Sequence, residues 1–268
     1  MNSVRFCYKD GKHKALTMSY DDGIVQDKRL IEIFNKNGIK GSFHINGGLF
    51  GAVHKHPRLF KEEIKEVYEG HEVSCHGFTH PFLERLAPME VVHEILDDKK
   101  ALEEVCGYVV RGMSYPFGTY STDVITTLRS LGMNYARTVV STGSFGIPED
   151  FMRWNATCHH GDKRLMELLD RFKKTTHDMP IFYVWGHAYE FDDNDNWNII
   201  EEFCEAAGGD PDIWYATNIE IFDYITATRK CEMSADRTML YNPSAISVWV
   251  RTAGRTIECK GGETTKLC

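Results

Sequence analysis

Five acidic and imidazole residues in this sequence lie at spacings that suit hydrolytic chemistry at a metal ion. Two adjacent carboxylates, Asp21 and Asp22, end an apolar and β-branched run and are followed by a glycine. Two imidazoles four residues apart, His76 and His80, come later, and His187 ends another apolar run. Because Asp is a poor strand residue, acids at the end of such a run are expected at the mouth of a fold. This pattern favours a metal-dependent hydrolase.

The roles of these five residues are only partly set by their spacing. Two imidazoles and one carboxylate can hold zinc or a related divalent ion and leave positions open for water and substrate. Such an ion makes water easier to deprotonate, and the second carboxylate can take the proton. Spacing does not decide whether Asp21 or Asp22 is the ligand. His76 and His80 lie on one face if their segment is a helical turn. His187 is either a general acid or a core histidine bonded to a backbone carbonyl.

The elements that position these residues alternate between apolar runs and amphipathic stretches about seven times. We expect helices over residues 26–37, 59–69, 89–105, 121–131, 165–174 and 197–207. We expect strands, after the run that ends on the two acids, over residues 39–45, 71–75, 108–114, 133–140, 180–186 and 212–216. The alternation predicts an α/β fold with a parallel sheet, either a (β/α) barrel or an open sheet. In both, catalytic groups belong at the carboxyl ends of the strands.

The pattern changes at about residue 230. Three short alternating runs separated by Asn-Pro, Ala-Gly and Gly-Gly turns predict a small β appendage. We therefore expect a catalytic domain over residues 1–229 and an appendage over residues 230–268 that packs on it.

Composition limits the partners of the chain, which has 268 residues and a net charge of -8. Basic residues are interspersed, so we expect no nucleic acid partner. No signal-like or membrane-length apolar run is present, which predicts no membrane partner and a cytoplasmic protein, or a secreted one whose signal is trimmed. The eight cysteines are scattered without Cys-x-x-Cys spacing, which favours reduced thiols. The oligomeric state stays open.

Four motifs, in this order, resemble those of the polysaccharide deacetylase family, the chitooligosaccharide deacetylase (NodB) homology domain of carbohydrate esterase family 4. They are Ser-Tyr-Asp-Asp-Gly at 19–23, Gly-His-Glu at 70–72 with the histidine pair after it, Tyr-Pro-Phe-Gly at 115–118 and Trp-Gly-His at 185–187. The resemblance spans about residues 14–228. It implies a distorted seven-stranded (β/α) barrel that removes acetyl groups with a divalent metal, zinc first, with cobalt or manganese as alternatives.

The resemblance also assigns a role to each of the five residues. By motif position, Asp21 is the general base and His187 the general acid. The metal ligands are Asp22, His76 and His80.

Two positions depart from the family pattern. Gly77 stands where the family usually has Ser or Thr, whose hydroxyl braces the loop. Ser114 stands where the family usually has the arginine that orients the base. We expect Arg137, at the end of a neighbouring strand, to supply the guanidinium to Asp21, with Arg111 as the alternative.

Aromatic and neighbouring residues near the strand ends are candidates for the substrate pocket, because aromatic faces pack on sugar rings. These candidates are Tyr115, Pro116, Phe117, Trp154 and Trp185. For Trp154 the alternative is a tryptophan buried under a loop. Glu190, three residues after His187, either orients that histidine or is a solvated acid.

Together these residues predict a hydrolase that removes acetyl groups from an N-acetylated or O-acetylated sugar or oligosaccharide. One alternative is a hydrolase of a non-sugar C–N bond on the same scaffold, which the missing arginine favours. The other is a catalytically silent carbohydrate-binding protein, against which the complete set of acids and imidazoles argues.

Overall fold

The computed structural model describes residues 3–267. The strands of this part of the chain are β1 (Arg5–Cys7), β2 (Lys14–Asp21), β3 (Gly41–Ile45), β4 (Glu72–Cys75), β5 (Gly112–Ser114), β6 (Tyr135–Ser141), β7 (Trp154–Ala156), β8 (Cys158–His159), β9 (Ile181–Gly186), β10 (Ile213–Tyr215), β11 (Glu232–Met233), β12 (Met239–Tyr241), β13 (Val248–Thr252), β14 (Arg255–Cys259) and β15 (Thr264–Lys266). The α-helices are α1 (Asp27–Lys36), α2 (Ile64–Val67), α3 (Pro88–Cys106), α4 (Thr122–Ser130), α5 (Leu165–Lys174), α6 (Tyr189–Asp193), α7 (Asn198–Ala207) and α8 (Asn218–Lys230).

The main sheet is parallel and closes into a barrel. From one end, its strands are ordered β7, β6, β5, β4, β3, β2, β9 and β8. Thr157 alone separates β7 from β8, and its backbone N–H donates to the carbonyl of Tyr183 on β9 while its own carbonyl accepts from Gly143 after β6, both at 2.8 Å. Residues 154–159 therefore act as one strand that joins the two ends. The predicted distorted seven-stranded (β/α) barrel is confirmed.

The central strand β2 is buried along its whole length. Near its start it pairs with β10 and β9, and near its end with β3 and β9. A strand with neighbours on both sides and helices outside must be apolar almost throughout, which explains the continuous run in the sequence. Its carboxyl end delivers Asp21 to the mouth of the barrel.

The outer helices follow the amphipathic pattern. Helix α5 occupies Leu165–Lys174 as expected, with Leu165, Leu168, Leu169 and Phe172 buried. Helix α3 begins with Pro88 at its first position and ends before Gly107, which has φ 75°. Proline at the start and a left-handed glycine at the end are favourable helix boundaries.

Two predicted elements are shorter than expected. The helix predicted over residues 59–69 is shortened to a 3-10 turn at Lys61–Glu63 that continues into α2. Leu59 is held in extended chain by a bond from its N–H to the carbonyl of Gly23 at 2.9 Å. The strand predicted over residues 108–114 is reduced to β5. There, Val110 donates its backbone N–H to the Glu103 carboxylate instead of to a neighbouring strand, at 3.0 Å.

The region after α8 forms two small antiparallel sheets. One contains β11, β12 and β15, and the other contains β13, β14 and the N-terminal strand β1. The Tyr224 hydroxyl of α8 donates to the carbonyl of Cys7 at 2.6 Å and accepts from the N–H of Trp249 at 3.0 Å. The predicted β appendage is thus tied to the barrel by α8 and β1, and the domain boundary at residue 230 stays a prediction.

The structure bears on two further predictions, reduced thiols and no membrane partner, within residues 3–267. The seven cysteines within residues 3–267 form no disulfide, and Cys268 lies outside the described residues. Across that same range, no helix has the length and apolar character needed to cross a membrane.

Candidate active site

The two adjacent acids both reach the barrel mouth because the chain turns sharply after β2. Asp22 has φ 90° and Gly23 φ 65°, and the N–H of Asp22 donates to the carbonyl of His44 at 2.8 Å. A left-handed Asp is uncommon and costs conformational energy, which is characteristic of a functional turn. Arg58, from the loop before α2, contacts the backbone carbonyl of Asp22 and lies 2.9 Å from Oδ1. No motif or spacing had indicated a role for this arginine.

His76 and His80 meet through a loop and not through a helical turn. The loop uses positive φ at Gly77 and His80 (77° and 61°), which brings the two Nε2 atoms to 3.1 Å from each other. The Asn46 side chain donates to the carbonyls of His76 and Gly77, each at 2.7 Å. Thr79 is held by Glu94 through its N–H and its hydroxyl, at 2.9 and 2.6 Å. These contacts brace the loop although Gly77 has no hydroxyl.

Ser114 fixes which nitrogen of His76 carries the proton. Nδ1 of His76 lies 3.0 Å from the carbonyl oxygen of Ser114, which can only accept, so Nδ1 is an N–H donor. The Ser114 hydroxyl lies 2.7 Å from the same nitrogen and donates to Oδ1 of Asp21 at 3.0 Å. The lone pair of Nε2 is therefore free to bind a cation, and Ser114 links His76, a predicted ligand, to Asp21, the predicted base.

Asp22, His76 and His80 fit a divalent metal ion. One donor atom from each lies within 4.8 Å of the other two. Oδ1 of Asp22 is buried and accepts no hydrogen bond from the described residues, although the Arg58 guanidinium is close. Burial lowers the pKa of His76, and burial together with His76 lowers the pKa of His80 to about 4, so both imidazoles are in the neutral form that ligates metals.

Asp21 lies beside this cluster in contact with the fully buried Arg137 guanidinium. Arg111 instead makes a bidentate pair with Asp223 at 2.9 and 2.7 Å. Of the two candidates, Arg137 is the one that reaches Asp21. Burial favours protonation of Asp21, but Arg137 and then His76 outweigh it and hold the pKa of this carboxyl well below its usual range. Asp21 is therefore a charged acceptor.

His187 faces Asp21 from the end of β9. Its Nε2 lies 3.9 Å from Oδ2 of Asp21, and its Nδ1 lies 3.0 Å from Oε1 of Glu190 in the first turn of α6. A carboxylate at Nδ1 directs Nε2 toward the mouth. Burial alone would lower the pKa of His187, but the hydrogen bond to Glu190 and the charges of Asp21 and Asp22 raise it.

Glu190 also contacts two further imidazoles. Oε2 lies 3.0 Å from Nε2 of His159 and 2.9 Å from Nε2 of His160. His160 fits here because residue 186 is glycine, since a Cβ at Gly186 would collide with the His160 ring. No spacing in the sequence connects His159 or His160 to Glu190.

Part of the chain matches a known protein family. The family model of polysaccharide deacetylase matches residues 8–136. The chain carries a polysaccharide deacetylase domain. The resemblance seen in the motifs is thereby confirmed. The matched segment includes Asp21, Asp22, His76 and His80, whereas Arg137 and His187 lie beyond it.

Two curated relatives and one solved structure illustrate the similarity. A chitooligosaccharide deacetylase from Azorhizobium caulinodans is 35% identical over 133 residues, which are 49% of this chain and 56% of that protein. The peptidoglycan-N-acetylglucosamine deacetylase PgdA from Listeria monocytogenes is 28% identical over 114 residues, 42% of this chain and 23% of that protein. A Mycobacterium smegmatis structure assigned to the polysaccharide deacetylases has a TM-score of 0.62 at 17% identity and covers 85% of this chain and 96% of its own.

The matched segments cover only part of the curated relatives. The chain spans about half the length of the chitooligosaccharide deacetylases it matches, and less of PgdA. The structural match shows the shared fold.

Of the aromatic candidates, the structure brings Phe117 and Trp185 to the mouth of the deacetylase domain. The half-exposed Phe117 ring lies 4.5 Å from His80 and stacks on Phe82 at 3.8 Å. Trp185 lies under the Arg137 guanidinium at 4.6 Å and 5.9 Å from His187. These two rings can face a sugar.

The predicted substrate contacts of Tyr115, Pro116 and Trp154 are not met, because all three are buried. The Tyr115 hydroxyl donates to the carbonyl of Met152 at 2.8 Å. Trp154 packs edge-on against Tyr183 at 4.8 Å and is 1% exposed. The alternative stated above for Trp154, a buried ring, is the observed one.

Proposed function

We propose that this chain is a metal-dependent hydrolase that removes acetyl groups from an N-acetylated or O-acetylated sugar or oligosaccharide. Asp22, His76 and His80 hold the ion, with zinc expected first and cobalt or manganese as alternatives. Asp21 is the base, His187 is the acid and Arg137 holds the base in place. The two relatives, named for deacetylation of chitooligosaccharides and of peptidoglycan N-acetylglucosamine, support the acetylated sugar as substrate class.

One observation carries this proposal. Asp21 lies between the ligand cluster and His187, with Oδ2 at 3.8 Å from Nε2 of His76 and at 3.9 Å from Nε2 of His187. An ionised carboxylate and a proton-carrying imidazole are therefore aimed at one small volume beside three metal donors. Hydrolysis of an amide needs a base and an acid in this arrangement.

The proton transfers follow from the charges of the residues. Asp21, held ionised by Arg137, takes a proton from the attacking water as its oxygen bonds to the acetyl carbon. His187, whose pKa is raised by Glu190 and the two aspartates, donates from Nε2 to the sugar nitrogen or oxygen as the bond from the acetyl carbon to that atom breaks. The products are acetate and the free amine or hydroxyl. A divalent ion bound at this site supplies Lewis acidity that acidifies water and polarises the acetyl carbonyl.

The experiment that tests the function is acetate release by protein loaded with zinc, cobalt or manganese. The panel contains chitooligosaccharides, peptidoglycan fragments, acetylated xylan and small acetylated amino sugars. We expect release from one class, its loss with chelator and its recovery on adding metal. Asp170→Asn is the control for an Asp→Asn change away from the site and should release acetate at the wild-type rate. Asp170 is exposed and pairs only with Lys174 within the described part of the chain.

A second candidate, hydrolysis of a non-sugar amide, is favoured by Ser114 in the position of the family arginine. Small linear and cyclic amides in the same panel separate the two candidates. Turnover of these amides without acetate release from any sugar would overturn the proposed deacetylation.

A further inference from the structure

The site contains a second group of two imidazoles and one carboxylate, of which the proposed reaction uses only the carboxylate, Glu190. His159, His160 and Glu190 each place a donor atom within 4.8 Å of the other two, as the metal ligands do. By composition and spacing, this group could equally be a second metal site. The hydrogen bonds at the far side of each ring decide between a metal site and a hydrogen-bonded cluster.

The backbone next to His159 fixes its tautomer. The N–H of Gly161 donates to Nδ1 of His159 at 3.1 Å. A backbone N–H can only donate, so Nδ1 carries the lone pair and the proton of the neutral ring is on Nε2. Nε2 therefore faces Glu190 as an N–H donor, and it has no lone pair for a metal ion.

The surroundings of His160 lead to the same tautomer. Its ring lies between Tyr20 and Phe191, with centroids 5.7 and 4.1 Å away, and its Nδ1 is buried without a partner among residues 3–267. An unpaired buried N–H costs more than an unpaired lone pair of an aromatic nitrogen, so the proton belongs on Nε2, which lies 2.9 Å from Glu190. Burial lowers the pKa of His160 to about 4 and keeps this ring neutral.

Glu190 is consequently held by three N–H donors. His159 and His160 bind Oε2, and His187 binds Oε1 at 3.0 Å. Two donors on one oxygen prevent the carboxylate from rotating toward solvent, and the other oxygen is thereby fixed on Nδ1 of His187.

We propose that His159 and His160 are positioning residues that lock Glu190 onto His187 and that these three residues form no second metal site. This proposal rests on the proposed function only for the role of His187 as acid. The charged groups that face His187 are Asp21 and Asp22 from the end of β2 and Glu190 from α6. Release of Glu190 removes one of the three charges that raise the pKa of His187.

The direct test is ¹⁵N NMR of histidine side chains in the zinc-loaded protein. Nitrogen shifts distinguish the two neutral tautomers from each other and from a metal-bound ring. We expect the Nε2–H tautomer for His159 and His160 and bound zinc at His76 and His80. A metal-bound shift or the Nδ1–H tautomer at His159 or His160 would overturn the proposal.

Matched variants of His159 add a functional test. His159→Leu removes the donor, whereas His159→Gln keeps an N–H of similar reach. We expect the leucine variant to lower kcat about tenfold, with unchanged metal content, and to lower the pKa of His187 seen by NMR. The glutamine variant should restore most of the kcat and most of the pKa of His187. An unchanged His187 titration in the leucine variant would contradict the lock, and because NMR needs no turnover, this failure is distinct from an absence of deacetylase activity.

Discussion

The two clusters at the barrel mouth each contain one carboxylate and two imidazoles, but they differ in which ring nitrogen carries the proton. The first cluster contains Asp22 with His76 and His80, and the second contains Glu190 with His159 and His160. In the first, Nδ1 of His76 faces a carbonyl oxygen and carries the proton, which leaves a lone pair on Nε2. In the second, Nδ1 of His159 faces a backbone N–H, which leaves Nε2 as a donor.

The carboxylates of the two clusters differ in the groups that surround them. Oδ1 of Asp22 is buried, accepts no hydrogen bond from the described residues and lies 2.9 Å from the Arg58 guanidinium, while Glu190 is surrounded by three imidazoles. Those imidazoles outweigh burial and hold the pKa of Glu190 well below its usual range. For His76 and His159, the backbone group that faces Nδ1 determines which nitrogen carries the proton, and thereby which of the two rings has a lone pair on Nε2 for a metal ion.

The largest expected effect is at Asp21, which lies between the two clusters. Asp21→Asn removes the charge that accepts the proton of water, so kcat should fall about 10³-fold, a loss typical of a missing general base. The metal content should stay at the wild-type level, because Asp21 is not among the predicted ligands. Near wild-type turnover in a correctly folded variant would refute the assignment of the base.

The next effect separates the clusters by metal affinity. His80→Ala removes a predicted ligand and should weaken zinc binding roughly 100-fold or more, measured by competition with a chelating dye. His159→Ala is the matched control and should leave the affinity unchanged. Equal losses in both variants would show that the two clusters share the ion.

A smaller effect is expected from Glu190→Gln, which keeps the size of the side chain and removes its charge. The pKa of His187 should fall, because the Glu190 hydrogen bond and charge raise it. An acid acts only while protonated, so activity is lost as pH rises through this pKa. The high-pH limb of kcat/KM should therefore move to lower pH, with kcat reduced about tenfold. Glu201→Gln, on the exposed face of α7, is the control, and an identical pH profile in the two variants would contradict the account.

The smallest effect on catalysis is expected from Trp185, which lies beside both His159 and His187. Trp185→Ala should raise KM a few-fold, about 1 kcal/mol of lost stacking, with little change in thermal stability. Trp154→Ala should instead lower the free energy of unfolding by about 3–5 kcal/mol, because this ring is in the core. A KM effect from Trp154 in a protein of unchanged stability would reverse this distinction.

Much of the fold and part of the site could be predicted from local patterns. Periodicity located α5, and the continuous apolar run located β2 with its terminal acids. The contact of Arg137 with Asp21 was predicted because parallel strands end at one rim of the barrel, although β6 is not adjacent to β2 and Arg137 is its third residue.

The remaining features depend on contacts between distant segments. The contacts of Arg58, Ser114 and His159 carry no local signal, since the loop before α2, the end of β5 and the end of β8 converge only in the folded barrel. The helix expected over residues 59–69 is short because a tertiary hydrogen bond at Leu59 overrides its helical pattern. Trp154 is buried because Thr157 closes the barrel beside it, which sequence spacing cannot show.

The most direct test of the central claim is anomalous diffraction at the zinc edge from crystals of the wild-type protein soaked with zinc. The account predicts one strong peak within bonding distance of Asp22, His76 and His80. A peak among His159, His160 and Glu190, or no peak at the first cluster in a crystal that holds zinc elsewhere, would contradict it.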